Sequence, residues 1–343
     1  MTGKRGRDPA FPFELAQCVW EITLACCFEC AYCGSRAGKA REGELTTEEC
    51  LDVADQLAEL GCERVSMIGG EVFMRRDWRQ IASKLTSLGI SVNIITNGFF
   101  FNEKMLGDLR DCAVESVSVS IDGLRETHDR LRGLTGGYDA AMRGIQNLID
   151  EKAFQNVQVT TVVNHVNIGE LDDLFRVMDG LDIDSWRVIN LEPIGRALQW
   201  PNRMLTPEDY RRLFSFIREK RLAGYPVEYG CSHYLGPELE GELRDWYWLC
   251  NAGIYTASIM ANGDVGACLD IERRPETVQG NVREARFRDI WESRFELFRK
   301  DLSSESEYCR GCSHADHCRG DAHHSWDYDK NEPRLCFKGM LFE

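Results

Sequence analysis

The sequence predicts an α/β fold, a partial (β/α)6 TIM-like barrel followed by a loop-rich C-terminal segment. Three observations predict it. Strand and helix periodicities alternate six times between residues 18 and 221. Regular periodicity fades after Gly224, and the cysteines gather in two dense groups, one at the start of the alternation and one beyond its end.

The units follow in order. Cys18–Leu24 reads as a strand and Thr46–Leu60 as a helix, opened by Thr46-Thr47-Glu48-Glu49, an N-cap with acidic first-turn residues. Arg64–Ile68 is a strand and Trp78–Leu88 a helix; Ser91–Thr96 is a strand closed by Asn97-Gly98, and Glu103–Arg110 a helix. Ser116–Ile121 alternates as a strand does, and Tyr138–Glu151 is a helix. Val157–Val163 and Glu170–Asp179 make the fifth unit, Trp186–Leu191 and Pro207–Arg221 the sixth. Short connections between such units imply a parallel sheet, and six fall short of the eight that close a barrel. The expected organisation is an N-terminal arm (1–15), the barrel (16–225) and the C-terminal domain (226–343).

Composition excludes several functions. The chain carries 41 basic and 56 acidic residues, a net charge of −15. General nucleic-acid binding and attachment to an anionic membrane both want a basic face. No apolar run approaches the roughly 18 residues of a span. MTGKRGRDPAFPF lacks the apolar core of a secretory signal, so the expected location is cytoplasmic, with no membrane or nucleic-acid partner.

Cysteine stands out, with 15 among 343 residues. A disulfide scaffold would be short and secreted, so clustered thiols here read as metal or cluster ligands. Cys18, Cys50, Cys62 and Cys112 are scattered in regular elements and read as buried small hydrophobes. Cys26, Cys30 and Cys33 follow the first strand, where a parallel barrel carries its chemistry. Three thiolates on one loop hold three corners of a [4Fe–4S] cube and leave one iron open. Adjacent Cys27 diverges from Cys26 and is taken as non-ligating. A zinc knuckle is the alternative, and it needs a fourth ligand close by.

Cys26-x3-Cys30-x2-Cys33, with Tyr32 before the last cysteine and Gly34 after it, resembles the signature of radical S-adenosylmethionine enzymes. Gly69-Gly70-Glu71 after the second strand resembles that superfamily's Gly-Gly-Glu-Pro motif, with Val72 in place of proline. The resemblance implies that Glu71 pairs with the methionine ammonium, Gly69 and Gly70 lying against the ligand. The resemblance also implies cofactor contacts at Tyr32 in the cysteine loop and, further along, at Asn97, Ser120 and Arg132, a guanidinium fork suiting a carboxylate. A surface Arg132 is the alternative.

Cys250-x12-Gly263-x4-Cys268, then Cys309-x2-Cys312-x5-Cys318 and Cys336, resembles the SPASM extension, which holds two auxiliary [4Fe–4S] clusters. By that resemblance Cys309, Cys312, Cys318 and Cys336 ligate one cluster. Cys250 and Cys268 ligate the other, with Cys231 a candidate third ligand. The family's next cysteine is replaced by Ala322, so Asp321, His323 or His324 become candidate substitutes. Structural zinc is again the alternative, since four thiolates suit it equally.

The resemblance implies three [4Fe–4S] clusters and S-adenosylmethionine as cofactors, and a flavodoxin or ferredoxin-type electron donor. A 5′-deoxyadenosyl radical would take hydrogen from a ribosomally made peptide, leading to a crosslink, dehydrogenation or backbone excision. Oxidation of a tetrapyrrole or sugar, or of a protein side chain as in sulfatase maturases, is the alternative. In sulfatase maturases an aspartate base directly follows the cysteine matching Cys268. Here Leu269 stands there and Asp270 comes next, a candidate base; Cys231 is a candidate hydrogen donor. The first strand starts near residue 18, leaving no room for an N-terminal leader-binding domain, so a separate leader-recognition protein is an expected partner.

Overall fold

The computed structural model describes residues 12–230, 233–246 and 248–342. Seven parallel strands follow one another in chain order: β1 (Gln17–Thr23), β2 (Arg64–Gly69), β3 (Ser91–Thr96), β4 (Ser116–Ser120), β5 (Asn156–Val163), β6 (Ser185–Asn190) and β7 (Val227–Tyr229). Seven helices cross between them: α1 (Thr47–Glu59), α2 (Trp78–Ser87), α3 (Glu103–Asp111), α4 (Arg125–Arg132), α5 (Gly137–Glu151), α6 (Leu171–Asp179) and α7 (Pro207–Leu222). The α/β barrel-like class is the one the alternation predicts.

Local chemistry starts and stops these elements. Thr46 caps α1 reciprocally with Glu49, and Thr206 caps α7 with Asp209 in the same way, with Pro207 at the first helical position. The inward residues Trp20, Ile22, Val65, Met67, Val92, Ile94, Val117 and Val119 are all at most 1 % exposed, so the strands wall one apolar core. Cys18, Cys50, Cys62 and Cys112 are buried in it, as their positions predict.

Two features depart from the six-unit reading. β7 adds a seventh parallel strand, pairing Trp186 with Val227, so the sheet runs through the boundary expected at residue 225. The second departure is larger. β8 (Thr256–Ile259) lies parallel to β1, Gln17 opposite Thr256 and Trp20 opposite Ile259. It continues antiparallel through β9 (Asp264–Gly266) to β10 (Gly280–Asn281). The sheet therefore has ten strands, and the C-terminal segment builds one end of it. β1 lies inside the sheet, with neighbours on both edges.

Candidate active site

The loop after β1 carries Cys26, Cys30 and Cys33 and is pinned from three sides. Cys26 N–H donates to Gly38 O at 2.8 Å, and Ala31 N–H to Leu131 O of α4 at 3.0 Å. The turn after β6 supplies the third clamp. Arg196 N–H donates to Cys33 O at 3.0 Å, its Nη1 to Cys30 O at 2.9 Å, and its Nη2 to Ala37 O. Gly195 precedes it with φ of +55°, and a Cβ there would sit 2.3 Å from Gly34 O and 2.4 Å from Cys33 O. Only glycine allows the two backbones to come that close.

Two thiols in this loop accept backbone hydrogen bonds. Phe28 N–H points to Cys26 Sγ and Ala37 N–H to Cys33 Sγ, each at 3.4 Å. Such bonds favour thiolate. Burial pushes Cys26 up to about 11 and Cys30 up to about 12, the latter tempered by the nearby Arg132 charge. Metal uptake must then displace these protons. Cys27 Sγ turns the other way and accepts from Asn97 Nδ2 at 3.6 Å.

Glu71 is fully buried beside this loop. Its carboxylate accepts from Thr96 Oγ1 and Asn97 N–H, each at 2.9 Å, and from Phe73 N–H at 3.3 Å. Burial nevertheless raises its pKa to about 7. Gly69 and Gly70 show why this turn needs glycine. A Cβ would sit 2.2 Å from Thr23 O in one case and 2.2 Å from Ala25 O in the other. The glycines thus serve close packing against the end of β1, which sets Glu71 beside the cysteine loop.

Asp122, two residues after β4, organises another wall beside the cysteine loop. It is fully buried and accepts from Arg132 Nε at 2.5 Å, Val162 N–H at 2.7 Å and the Tyr32 hydroxyl. Arg132 is 9 % exposed, so it belongs to the site wall and not to the surface. Ser120 ends β4 half-buried, opposite Thr160. Asp122→Asn leaves Arg132 as a buried charge without its counterion. We expect a loss of about 3–5 kcal/mol, read as a fall in denaturation midpoint; an unchanged midpoint would refute the ion pair's structural role.

The second thiol set converges in the C-terminal segment. Cys309, Cys312, Cys318 and Cys336 line one pocket with Tyr308 and Asp321. Around one zinc ion, sulfurs bound at about 2.3 Å lie about 3.8 Å apart. Among the described residues no three thiols come within 4.8 Å of one another.

Cys250 is half-buried and packs with Trp248, Cys318 and Ala322. Cys268 is half-buried also, Asp270 is exposed, and Cys231 lies outside the described residues. Asp321 accepts from Tyr234 N–H at 2.7 Å and meets His233 Nδ1 at 2.6 Å. His323 Nδ1 is 3.0 Å from the Tyr328 hydroxyl, and burial pushes its pKa down to about 4. His324 Nε2 lies 3.6 Å from Glu192 Oε1, so all three candidate substitute ligands have protein partners in this structure. Trp248 and Trp326 are core residues.

A strand-end loop of three thiols, a buried carboxylate beside it and a C-terminal four-thiol pocket define a radical S-adenosylmethionine enzyme with an auxiliary-cluster domain. Family models agree: residues 20–178 match the radical SAM superfamily and residues 250–313 the SPASM iron–sulfur cluster-binding domain. The chain belongs to this family. Mycofactocin maturase MftC of Mycolicibacterium smegmatis is 31% identical over 308 residues, covering 88% of this chain and 76% of that protein. The AdoMet-dependent heme synthase of Methanosarcina barkeri is 29% identical over 343 residues, covering 93% and 96%. The crystal structure of Streptococcus suis SuiB bound to S-adenosylmethionine superposes with a TM-score of 0.74 over 90% of this chain and 72% of that one; at 18% identity this is a likeness of fold.

Sequence reasoning missed Asp122 and Arg196. Asp122 directly follows the strand read at Ser116–Ile121, and an aspartate at the carboxyl end of a barrel strand was the available signal. Arg196 carried none, because its partners are backbone carbonyls 159 and 166 positions away. Among the described residues no helix is long and apolar enough to cross a membrane.

Proposed function

We propose that this chain is a peptide maturase that oxidises a ribosomally made peptide. The observation that carries the reading is the combination of the three-thiol loop after β1 with a four-thiol pocket in a C-terminal segment whose β8 pairs with β1, supported by the likeness to a curated maturase over most of the chain. Three [4Fe–4S] clusters are assigned: one on Cys26, Cys30 and Cys33, one on Cys309, Cys312, Cys318 and Cys336, and one on Cys250 and Cys268 with a further ligand. When bound, S-adenosylmethionine and the first cluster supply a 5′-deoxyadenosyl radical that takes one hydrogen atom from the substrate. The chain's own residues position and shield. Arg196 and α4 fix the cysteine loop, Glu71 receives the cofactor ammonium, and the Asp122–Arg132–Tyr32 network shapes the wall. The second thiol pocket offers the substrate's remaining electron a way out, so the net change is an oxidation. A flavodoxin or ferredoxin-type protein is the electron donor in this scheme, with a separate protein reading the leader.

The likeness to a heme synthase along nearly its whole length supports a second reading, oxidation of a tetrapyrrole. Co-expression with a short reading frame encoded beside this gene decides between them. A loss of mass in the peptide supports maturation; an unchanged peptide together with turnover of an iron porphyrin replaces it with the second reading. Counting metals tests the cluster assignment. About twelve irons with matching sulfide fit three cubes, whereas zinc without sulfide refutes it.

Glu71 makes cofactor affinity pH-dependent. Its carboxyl is raised to about 7 in the free protein, so it becomes neutral as pH falls through that value. An ammonium pairs with the charged form only. The dissociation constant of S-adenosylmethionine should therefore rise about tenfold per pH unit below about pH 7. Anaerobic calorimetry from about pH 8 to about pH 6 measures this, and Glu71→Gln should bind weakly with little slope. A flat profile in the unmodified protein would remove Glu71 from the ammonium site.

A further inference from the structure

We propose that Glu192, His233 and His324 form a site for one divalent transition-metal ion, separate from the cysteine-bound clusters. Among the described residues this is the one group of three histidine, cysteine, aspartate or glutamate ligand atoms lying within 4.8 Å of one another. Glu192 Oε1 is 2.7 Å from His233 Nε2 and 3.6 Å from His324 Nε2. Nitrogen and oxygen ligands bound tetrahedrally at about 2.0–2.1 Å lie about 3.3 Å apart. The His324 separation is about 0.3 Å wider than this and the His233 contact about 0.6 Å tighter, so both change by a fraction of an ångström as a metal replaces the shared proton.

The surroundings are those of a ligated histidine. Asp321 Oδ2 sits 2.6 Å from His233 Nδ1 and fixes that nitrogen as a donor, turning the lone pair of Nε2 toward Glu192. Asp321 is held in turn by Tyr234 N–H and Ser325 Oγ. His233 is fully buried, and both His324 and Asp321 are 8 % exposed. Among the described residues no lysine or arginine pairs with either carboxylate. Arg244, on a neighbouring element, donates to His233 O and pairs with Glu240. Two sunken carboxylates match the charge of one divalent ion.

The placement gives such an ion something to do. Glu192 leaves β6 and His233 follows β7, both at the end of the sheet that carries the cysteine loop; His324 belongs to the C-terminal segment. A bound ion would tie the barrel to that segment. Three protein ligands of the two-histidine, one-carboxylate kind leave a coordination position open to an oxygen donor such as a substrate carboxylate.

The test uses reconstituted holoprotein whose iron and sulfide have been counted. After anaerobic incubation with zinc chloride and desalting, the unmodified protein and the exposed-site control His317→Ala should keep about one zinc per chain. His324→Ala and Glu192→Gln should lose it with iron unchanged. The zinc absorption edge of the unmodified protein should show nitrogen and oxygen neighbours at about 2.0–2.1 Å and no sulfur shell near about 2.3 Å. No retained zinc would overturn the proposal, leaving His233 as an imidazolium bridging two carboxylates. A sulfur shell would overturn it too, by placing the metal on thiols. If a variant also loses iron, the spectrum of the unmodified protein decides alone.

Discussion

Replacing Cys30 by alanine is expected to abolish 5′-deoxyadenosine formation. The loop after β1 presents three thiols and no fourth ligand: Cys27 turns toward Asn97, and no histidine lies in the loop. Losing one thiol leaves two, too few to hold a cube with one iron free for a cofactor. The fold should survive, because Cys30 takes part in the loop through its carbonyl, which Arg196 holds, and that carbonyl remains in alanine. Anaerobic assay with dithionite and chromatographic quantification of 5′-deoxyadenosine measure the effect, and circular dichroism checks the fold. Cofactor cleavage at the unmodified rate would mean that the first cluster sits elsewhere.

Cys312→Ala is expected to separate cleavage from product. Cys312 lines the second pocket, remote in sequence from the Glu71 and Asp122 walls, so cofactor cleavage should persist at a reduced and uncoupled level. Product should vanish because the electron left on the substrate has lost its exit. Iron should fall by about four per chain, one cube's worth. Product at the unmodified level would defeat the proposed role of the auxiliary cluster.

Much of this arrangement could be read along the chain because its signals are local. The strand and helix periods of the barrel, the Thr46 cap and the cysteine spacings each occupy a few consecutive residues. What escaped was short or long-range. β7 has three residues and β8 four, too few to show alternation, and β8 is recognisable only through β1, its partner across more than 230 positions. α4 escaped for another reason: Arg-Glu-Thr-His-Asp-Arg-Leu-Arg offers one aliphatic residue, and tertiary contacts to the cysteine loop stand in for an apolar stripe. The Glu192–His233–His324 trio drew on three distant segments, and only the folded chain brings them together.

The position of β8 also orders the birth of the molecule. During synthesis β1 emerges early and finds β2 soon after, but its other edge stays bare until residue 259 has cleared the ribosome. A chain cut at residue 225 would keep that edge open to strands of other molecules, a route to aggregation. The clamps on the cysteine loop end at Arg196 and can form before β8 exists, whereas the second thiol set waits for Cys336, so the two thiol groups become available at different stages of synthesis.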